Sequence, residues 1–243
     1  MGMVAPTDIR TAQIMTTSPE QSLYKLQTWF SPSYPVGAYT YSHGLEQAFE
    51  TGLIDSLDQA TDWISDIITG GNGFADAVFV CEAHRATGKE DDDRLAILSE
   101  YAVAFCGTKE LRLESEAQGA AFIDVVQKVE PNGGLEKLTQ IWSGPFPYCI
   151  AIGAAAGYLG IDLKATTTAY LHAFVSNLSS ALVRIVPYGQ TDGQRIIATL
   201  APVVEEAVQK ALTTNFEDIS TSTLMVDLTS MQHENQYTRL FRS

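Results

Sequence analysis

The sequence predicts an all-α protein: one compact domain of about eight to ten helices over residues 21–228, an irregular N-terminal arm over residues 1–20 and a C-terminal tail over residues 229–243. Three observations predict it. Strict apolar/polar alternation, the mark of half-buried strands, is almost absent, while apolar residues recur at helical spacing throughout. Hydrophobic residues make up 45% of the 243 residues and charged residues only 18%, enough to bury a core. The links between periodic segments are short, and no internal repeat or low-complexity linker divides the chain.

The elements follow in order. Leu23, Leu26, Trp29 and Phe30 mark a short amphipathic helix. Pro32, Pro35 and Gly37 make the next segment a loop. A helix from Ser42, with Ser42 as N-cap, places Leu45, Ala48 and Phe49 on one face and stops at Gly52. Ser56 and Gln59 form a capping box for a helix with Leu57, Ala60, Ile64 and Ile67 inside, ending at Gly70 and Gly71. Phe74, Val78 and Cys81 form another stripe, closed near Gly88. Asp91, Asp92 and Asp93 suit the positive end of a helix dipole, and Leu95, Leu98, Ala102 and Phe105 are that helix's inner face.

A long helix starts near Lys109 and turns Phe122, Val125, Val126 and Val129 inward. Residues 131–134 are a turn, and 135–142 a short helix. Residues 148–159 read as a buried helix whose Gly153 and Gly157 let a neighbour approach closely. The uncharged run around it is interrupted by Pro145, Pro147 and glycines, and its continuous apolar part falls short of the roughly 20 residues of a membrane span. Asp162 caps a helix that ends before Pro187. Asp192 caps the next, which carries Ile196, Leu200, Val204 and Val208 and is kinked by Pro202. From Ile219 the sequence turns polar and irregular, with a short apolar stretch at 224–228.

Charge and chemistry narrow the function. The chain has 15 Lys+Arg against 29 Asp+Glu, a formal charge of −14. Residues 43–136 hold 19 of the acidic and 6 of the basic residues, so nearly the whole deficit lies there. This balance argues against a nucleic-acid groove and against an anionic membrane surface. Cys81, Cys106 and Cys149 are odd in number and lack metal or redox spacing, which suits reduced thiols and a cytoplasmic protein. His43, His84, His172 and His233 never pair at i, i+3 or i, i+4, so no metal site is expected. There is no phosphate-binding glycine loop and no nucleophile elbow. No catalytic residue and no cofactor are expected.

Four stretches carry more polar information than packing requires. Residues 31–46 combine Pro32, Pro35 and Gly37 with Tyr34, Tyr39, Tyr41, Ser42, His43 and Glu46; a hydrogen-bonded surface pair of His43 and Glu46 is favoured over half a metal site. Residues 110–119 hold Glu110, Arg112, Glu114 and Glu116, a solvated helix face or a polar seam against another protein. Residues 184–194 hold Arg184, Tyr188 and Gln190; Arg184 interrupts an apolar face and calls for a carboxylate or carbonyl partner. The last stretch, 230–243, sets Arg239, Leu240, Phe241 and Arg242 behind Tyr237. These are residue types of interface hot spots, though a tail folded back on the protein's own acidic surface fits equally well.

Together, in this order and separation, the four stretches resemble the urease accessory protein F family, a resemblance covering roughly residues 23–243. It implies an all-helical fold, dimerisation and no reaction of its own. It implies an adaptor that binds urease accessory protein D (called H in some organisms) and accessory protein G, a GTPase. That assembly docks on apo-urease and inserts nickel under control of GTP hydrolysis. The resemblance further implies that the tail, with Tyr237, Arg239, Leu240, Phe241 and Arg242, enters the D/H partner. Tyr39, Tyr41, Ser42, His43, Glu46, Glu110, Arg112, Arg184, Tyr188 and Gln190 become candidates for partner or dimer surfaces. Two alternatives stand beside it: a metallochaperone that binds nickel itself, and a helical enzyme with a buried polar pocket around Arg184 with Glu46 or Glu110.

Overall fold

The computed structural model describes residues 17–242. Among them the chain forms eleven α-helices, two 3-10 turns and no strand. They are α1 (Pro19–Trp29), α2 (Leu45–Glu50), α3 (Leu57–Gly70), α4 (Asn72–Gly88), α5 (Asp92–Phe105), α6 (Lys109–Val129), α7 (Gly133–Ile141), α8 (Tyr148–Tyr158), α9 (Leu163–Ile185), α10 (Gln190–Ala211) and α11 (Leu224–His233), with 3-10 turns at Ala38–Thr40 and Phe216–Asp218. The all-helical expectation holds. The arm expected over residues 1–20 lies outside the described residues as far as residue 16; Pro19 and Glu20 already belong to α1, which Ser18 caps through the Gln21 N–H.

The centre is built from two helices, α4 and α8, that bury residues on nearly every side. In α4, Phe74, Ala77, Val78, Phe79, Val80, Cys81 and Ala83 are all buried. In α8, all nine residues from Cys149 to Gly157 are buried. The two cross at the glycines the sequence singled out. A Cβ on Gly153 would lie 2.6 Å from the carbonyl oxygen of Val80, and one on Gly157 2.4 Å from that of His84. Only glycine permits this approach. Around the pair, α3, α9 and α10 pack on α4 and on one another, α6 and α7 pack on α8, and α5 reaches α4 and α7. Glu82 of α4 enters this core as a carboxylate, neutralised by Arg85 at 2.7 Å and by Arg94 of α5.

Several local expectations are corrected. Ser42 is not the N-cap of α2. His43 and Gly44 both take left-handed backbone (φ 51° and 76°), which delays the helix to Leu45 with Gly44 as its N-cap. Asp192 does not cap α10 either: the helix begins at Gln190, and Asp192 in its first turn accepts the Gly189 N–H at 3.0 Å. Ser56 does cap α3, but Gln59 reaches back to the Asp55 N–H. Val129 is exposed because α6 has run past the core there, and Ile123 is buried beside Phe122 and Val126 instead. Finally, the irregular text after Ile219 contains α11, a helix whose formation depends on packing against α2 and α6 rather than on its own periodicity.

Replacing Gly157 by Ala forces apart two backbones that have no room to give. It should cost about 1–3 kcal/mol in urea unfolding, whereas Gly88→Ala, with open space at its Cβ, should be neutral or stabilise by up to about 1 kcal/mol.

Candidate functional site: the docked tail and its carboxylates

The structure brings parts of the four polar stretches together, the third through Arg184 alone, and α6 organises them. Residues four apart on a helix share a face. Glu110, Glu114 and Gln118 therefore line up, and all three are buried. The solvated-face reading of this helix is thus corrected for Glu110 and Glu114: they form a polar seam, but against the same chain. Arg112 lies on the other side, exposed, and pairs with Glu116 at 2.7 Å.

At one end of the seam, Glu114 lies 3.0 Å from Nε2 of His43 and accepts from the Gln118 amide at 2.8 Å. His43 is buried, with Asn72 at 3.1 Å from Nδ1 and the Phe174 ring edge-on at 4.8 Å. The expected surface pair of His43 with Glu46 does not form, because the left-handed turn at His43 points the two side chains apart. Burial alone would push the His43 imidazole down. The Glu114 charge and hydrogen bond outweigh it, so the net direction is up. A bulky residue at positive φ is a strained conformation, and this packing holds it.

At the other end, Glu110 and Glu46 bracket His233, whose side chain is fully buried. Glu110 Oε2 lies 2.8 Å from Nδ1 and Glu46 Oε2 3.1 Å from Nε2. Each ring nitrogen of His233 thus faces its own carboxylate oxygen. Burial raises the Glu110 carboxyl, and His233 and Arg239 pull it back only in part. Nearby, Thr108 and Ser230 share a buried hydrogen bond of 2.8 Å, and Gly44 leaves room for Thr229: a Cβ there would meet its Oγ1 at 2.5 Å.

The tail closes over this cluster. Arg239 donates to Glu110 at 2.9 Å; the backbone N–H groups of Leu240 and Phe241 donate to Glu46 at 2.7 and 3.0 Å; the Arg242 N–H donates to the Thr40 carbonyl at 2.8 Å. Arg242 also lies against the Tyr41 phenol. Phe241 is buried, with the Arg184 guanidinium 4.5 Å over its ring. Tyr237 and Leu240 stay exposed, Tyr237 fully. Arg184 is exposed, not buried; of the two kinds of partner expected it takes carbonyls, those of Ser180 (3.1 Å) and Tyr39 (2.6 Å). Tyr39 is exposed and Tyr41 buried. Tyr188 packs on the core from the turn before α10, and Gln190 is exposed at its start.

Sequence reasoning left His233 unassigned within the tail and missed Asn72, which shows no motif and gains its place only through the fold. Among the described residues no group of three or more His, Cys, Asp or Glu side chains is suited to hold a metal ion, and no helix is long and apolar enough to cross a membrane. Arg184, Glu46 and Glu110 do not line the aromatic cavity between the loop of residues 31–41, α6 and α9.

His233→Ala strands two carboxylates beside α11. It should destabilise the fold by about 1–3 kcal/mol in urea unfolding and speed tryptic cleavage at Arg239.

Comparison with known proteins supplies the family. The family model described as UreF matches residues 54–201. The chain is 41% identical to the urease accessory protein UreF of Rhodopseudomonas palustris strain BisB18 over 241 residues, covering 99% of this chain and 100% of the relative. It is 44% identical over 222 residues to that of strain BisB5, with 91% of each chain covered. It is 43% identical over 230 residues to that of Bradyrhizobium sp. strain BTAi1, covering 94% and 95%. With the docked tail and the seam of α6 in place, the chain belongs to the UreF family of urease accessory proteins.

Proposed function

We propose that this protein is the adaptor that holds the urease maturation complex together. It binds accessory protein D (H) through its tail, recruits the GTPase accessory protein G, pairs with a second copy of itself, and docks the assembly on apo-urease in the cytoplasm. Nickel is the cargo of that assembly and GTP hydrolysis by protein G controls its release. The physical need is plain: free nickel would compete with tighter-binding metals for the same ligands. A scaffold that ties nucleotide state to docking geometry avoids this by shifting populations among assembled states.

The observation that carries the reading is the tail. Arg239, Leu240, Phe241 and Arg242 lie on the surface of the fold, held by a few hydrogen bonds and one buried ring, while Tyr237 and Leu240 expose apolar area. Each hydrogen bond contributes about 0.5–1.5 kcal/mol net, so a partner offering equivalent acceptors and a pocket for Phe241 can take the segment over. Exchange of this kind uses Arg and aromatic anchors, the residue types that dominate interface energetics. Tyr41, Glu46 and Arg184 touch the tail, Tyr39 touches Arg184, and Ser42 and His43 belong to the turn that leads into Glu46, so they support a contact surface at the same place. Arg112, Tyr188 and Gln190 lie outside that cluster and serve a second surface, toward protein G or the other copy.

Deleting residues 237–243 should abolish co-purification with the D/H protein while helical circular dichroism is retained. A complex that survives the deletion would remove the tail from the interface.

A further inference from the structure

Away from the tail's carboxylates, the loop of residues 31–41, α6 and α9 enclose a cavity of about 140 Å³. That is close to the roughly 150 Å³ of an engineered cavity that accepts benzene. Exposed Pro32, Tyr39 and Ser180 stand at its rim. Its walls are rings. Phe30 meets Tyr170 edge-on at 6.2 Å, Tyr170 meets Tyr148 at 5.8 Å, and Tyr34 and Phe174 complete the enclosure. Burial pushes the Tyr34 phenol up to about 12, so the hydroxyls remain neutral.

The charged groups on the wall are His43, Glu114 and Asp76. The first two pair with each other. Asp76 accepts a hydrogen bond from the Tyr170 hydroxyl at 2.7 Å but is in no salt bridge among the described residues. It is surrounded by protein yet keeps partial exposure, as a carboxylate facing an internal cavity does. Two carboxylates, Asp76 and Glu114, thus share the one imidazole of His43, and the aromatic enclosure has an excess of negative charge at Asp76. An anion is repelled there, and a neutral apolar molecule would leave the charge without a partner. A hard divalent ion needs six or more oxygen ligands, far more than Asp76 and Glu114 supply. A compact organic cation gains the carboxylate and the ring faces together.

We propose that this cavity is a binding site for a small organic monocation, a methylated ammonium of about benzene's size, with its charge beside Asp76 and its methyl groups against Tyr148, Tyr170 and Phe174. Neither Glu46, Glu110 nor any tail residue lines the site, though Tyr39 and Tyr41 of its wall also neighbour the tail.

The test is a titration of the full chain with tetramethylammonium chloride at constant ionic strength. The readouts are Trp29 fluorescence and the indole resonance of Trp29, which lines the cavity. Neutral tert-butanol, of similar size, is the control. Saturable binding of the cation with at least tenfold preference over tert-butanol is expected, and Asp76→Asn should weaken it at least tenfold. Because that variant alters a buried group, the unmodified chain supplies a second measurement. Burial raises the Asp76 carboxyl to about 6, against the pull of Tyr170, His43 and Cys149 and with the push of Glu114. Protonation removes the charge, so affinity should fall about tenfold between pH 7.5 and pH 5. No saturable signal, equal response to tert-butanol, or affinity unchanged by both Asp76→Asn and acidification would overturn the proposal.

Discussion

Two carboxylates four residues apart on one helix face cannot be buried bare, and much of this molecule is arranged around that constraint. An isolated buried charge costs several kcal/mol, so Glu114 and Glu110 each require a cationic or donor partner from another element. Glu114 takes His43, which commits the loop before α2 to a left-handed turn. Glu110 takes His233 and Arg239, which commits α11 and the tail to fold back across α6. Glu46 then completes the shell, receiving His233 and two backbone N–H groups of the tail. Segments nearly 190 residues apart in the chain thus meet at one cluster.

The core below supplies rigidity of a different kind. α4 and α8 touch backbone to backbone at Gly153 and Gly157, a contact with no side chain to deform. Helices so placed present α6 and α9 at fixed positions, which is what a precise polar cluster needs. The strongly acidic segment of the sequence divides accordingly. Asp55, Asp58, Asp62, Asp66, Asp91 and Asp93 face solvent, while Asp76, Glu82, Glu110 and Glu114 turn inward and find partners. A solvated acidic set of this kind creates a field that acts on steering and specificity more than on affinity. The inner set builds structure.

The helices were legible because burial imposes a 3.6-residue period on each. Ala60, Ile64 and Ile67 or Leu95, Leu98 and Ala102 show it directly, and Asp162 at the start of α9 is an equally local signal. α11 was not legible: its period is weak, and its docking depends on Thr229 fitting over Gly44 and Ser230 meeting Thr108. Nor was the left-handed turn at His43, where tertiary contacts overrule the cap that Ser42 offers. Arg184 misled in the opposite sense. It looked buried within an apolar face, but at the end of α9 its guanidinium reaches outward to the Tyr39 carbonyl and the Phe241 ring.

By itself, then, the sequence determined the helical class, the core faces, the glycine crossing of α8 and the stretches worth watching, because each follows from spacing within one segment. Only the tertiary structure decided which of those stretches meet. Glu110 and Glu114 read alone are an ordinary polar face. Opposite His233 and His43 they become the anchor of the tail and of the loop before α2. Pairing across long chain separations depends on where the core sets the helices, and no local pattern encodes that.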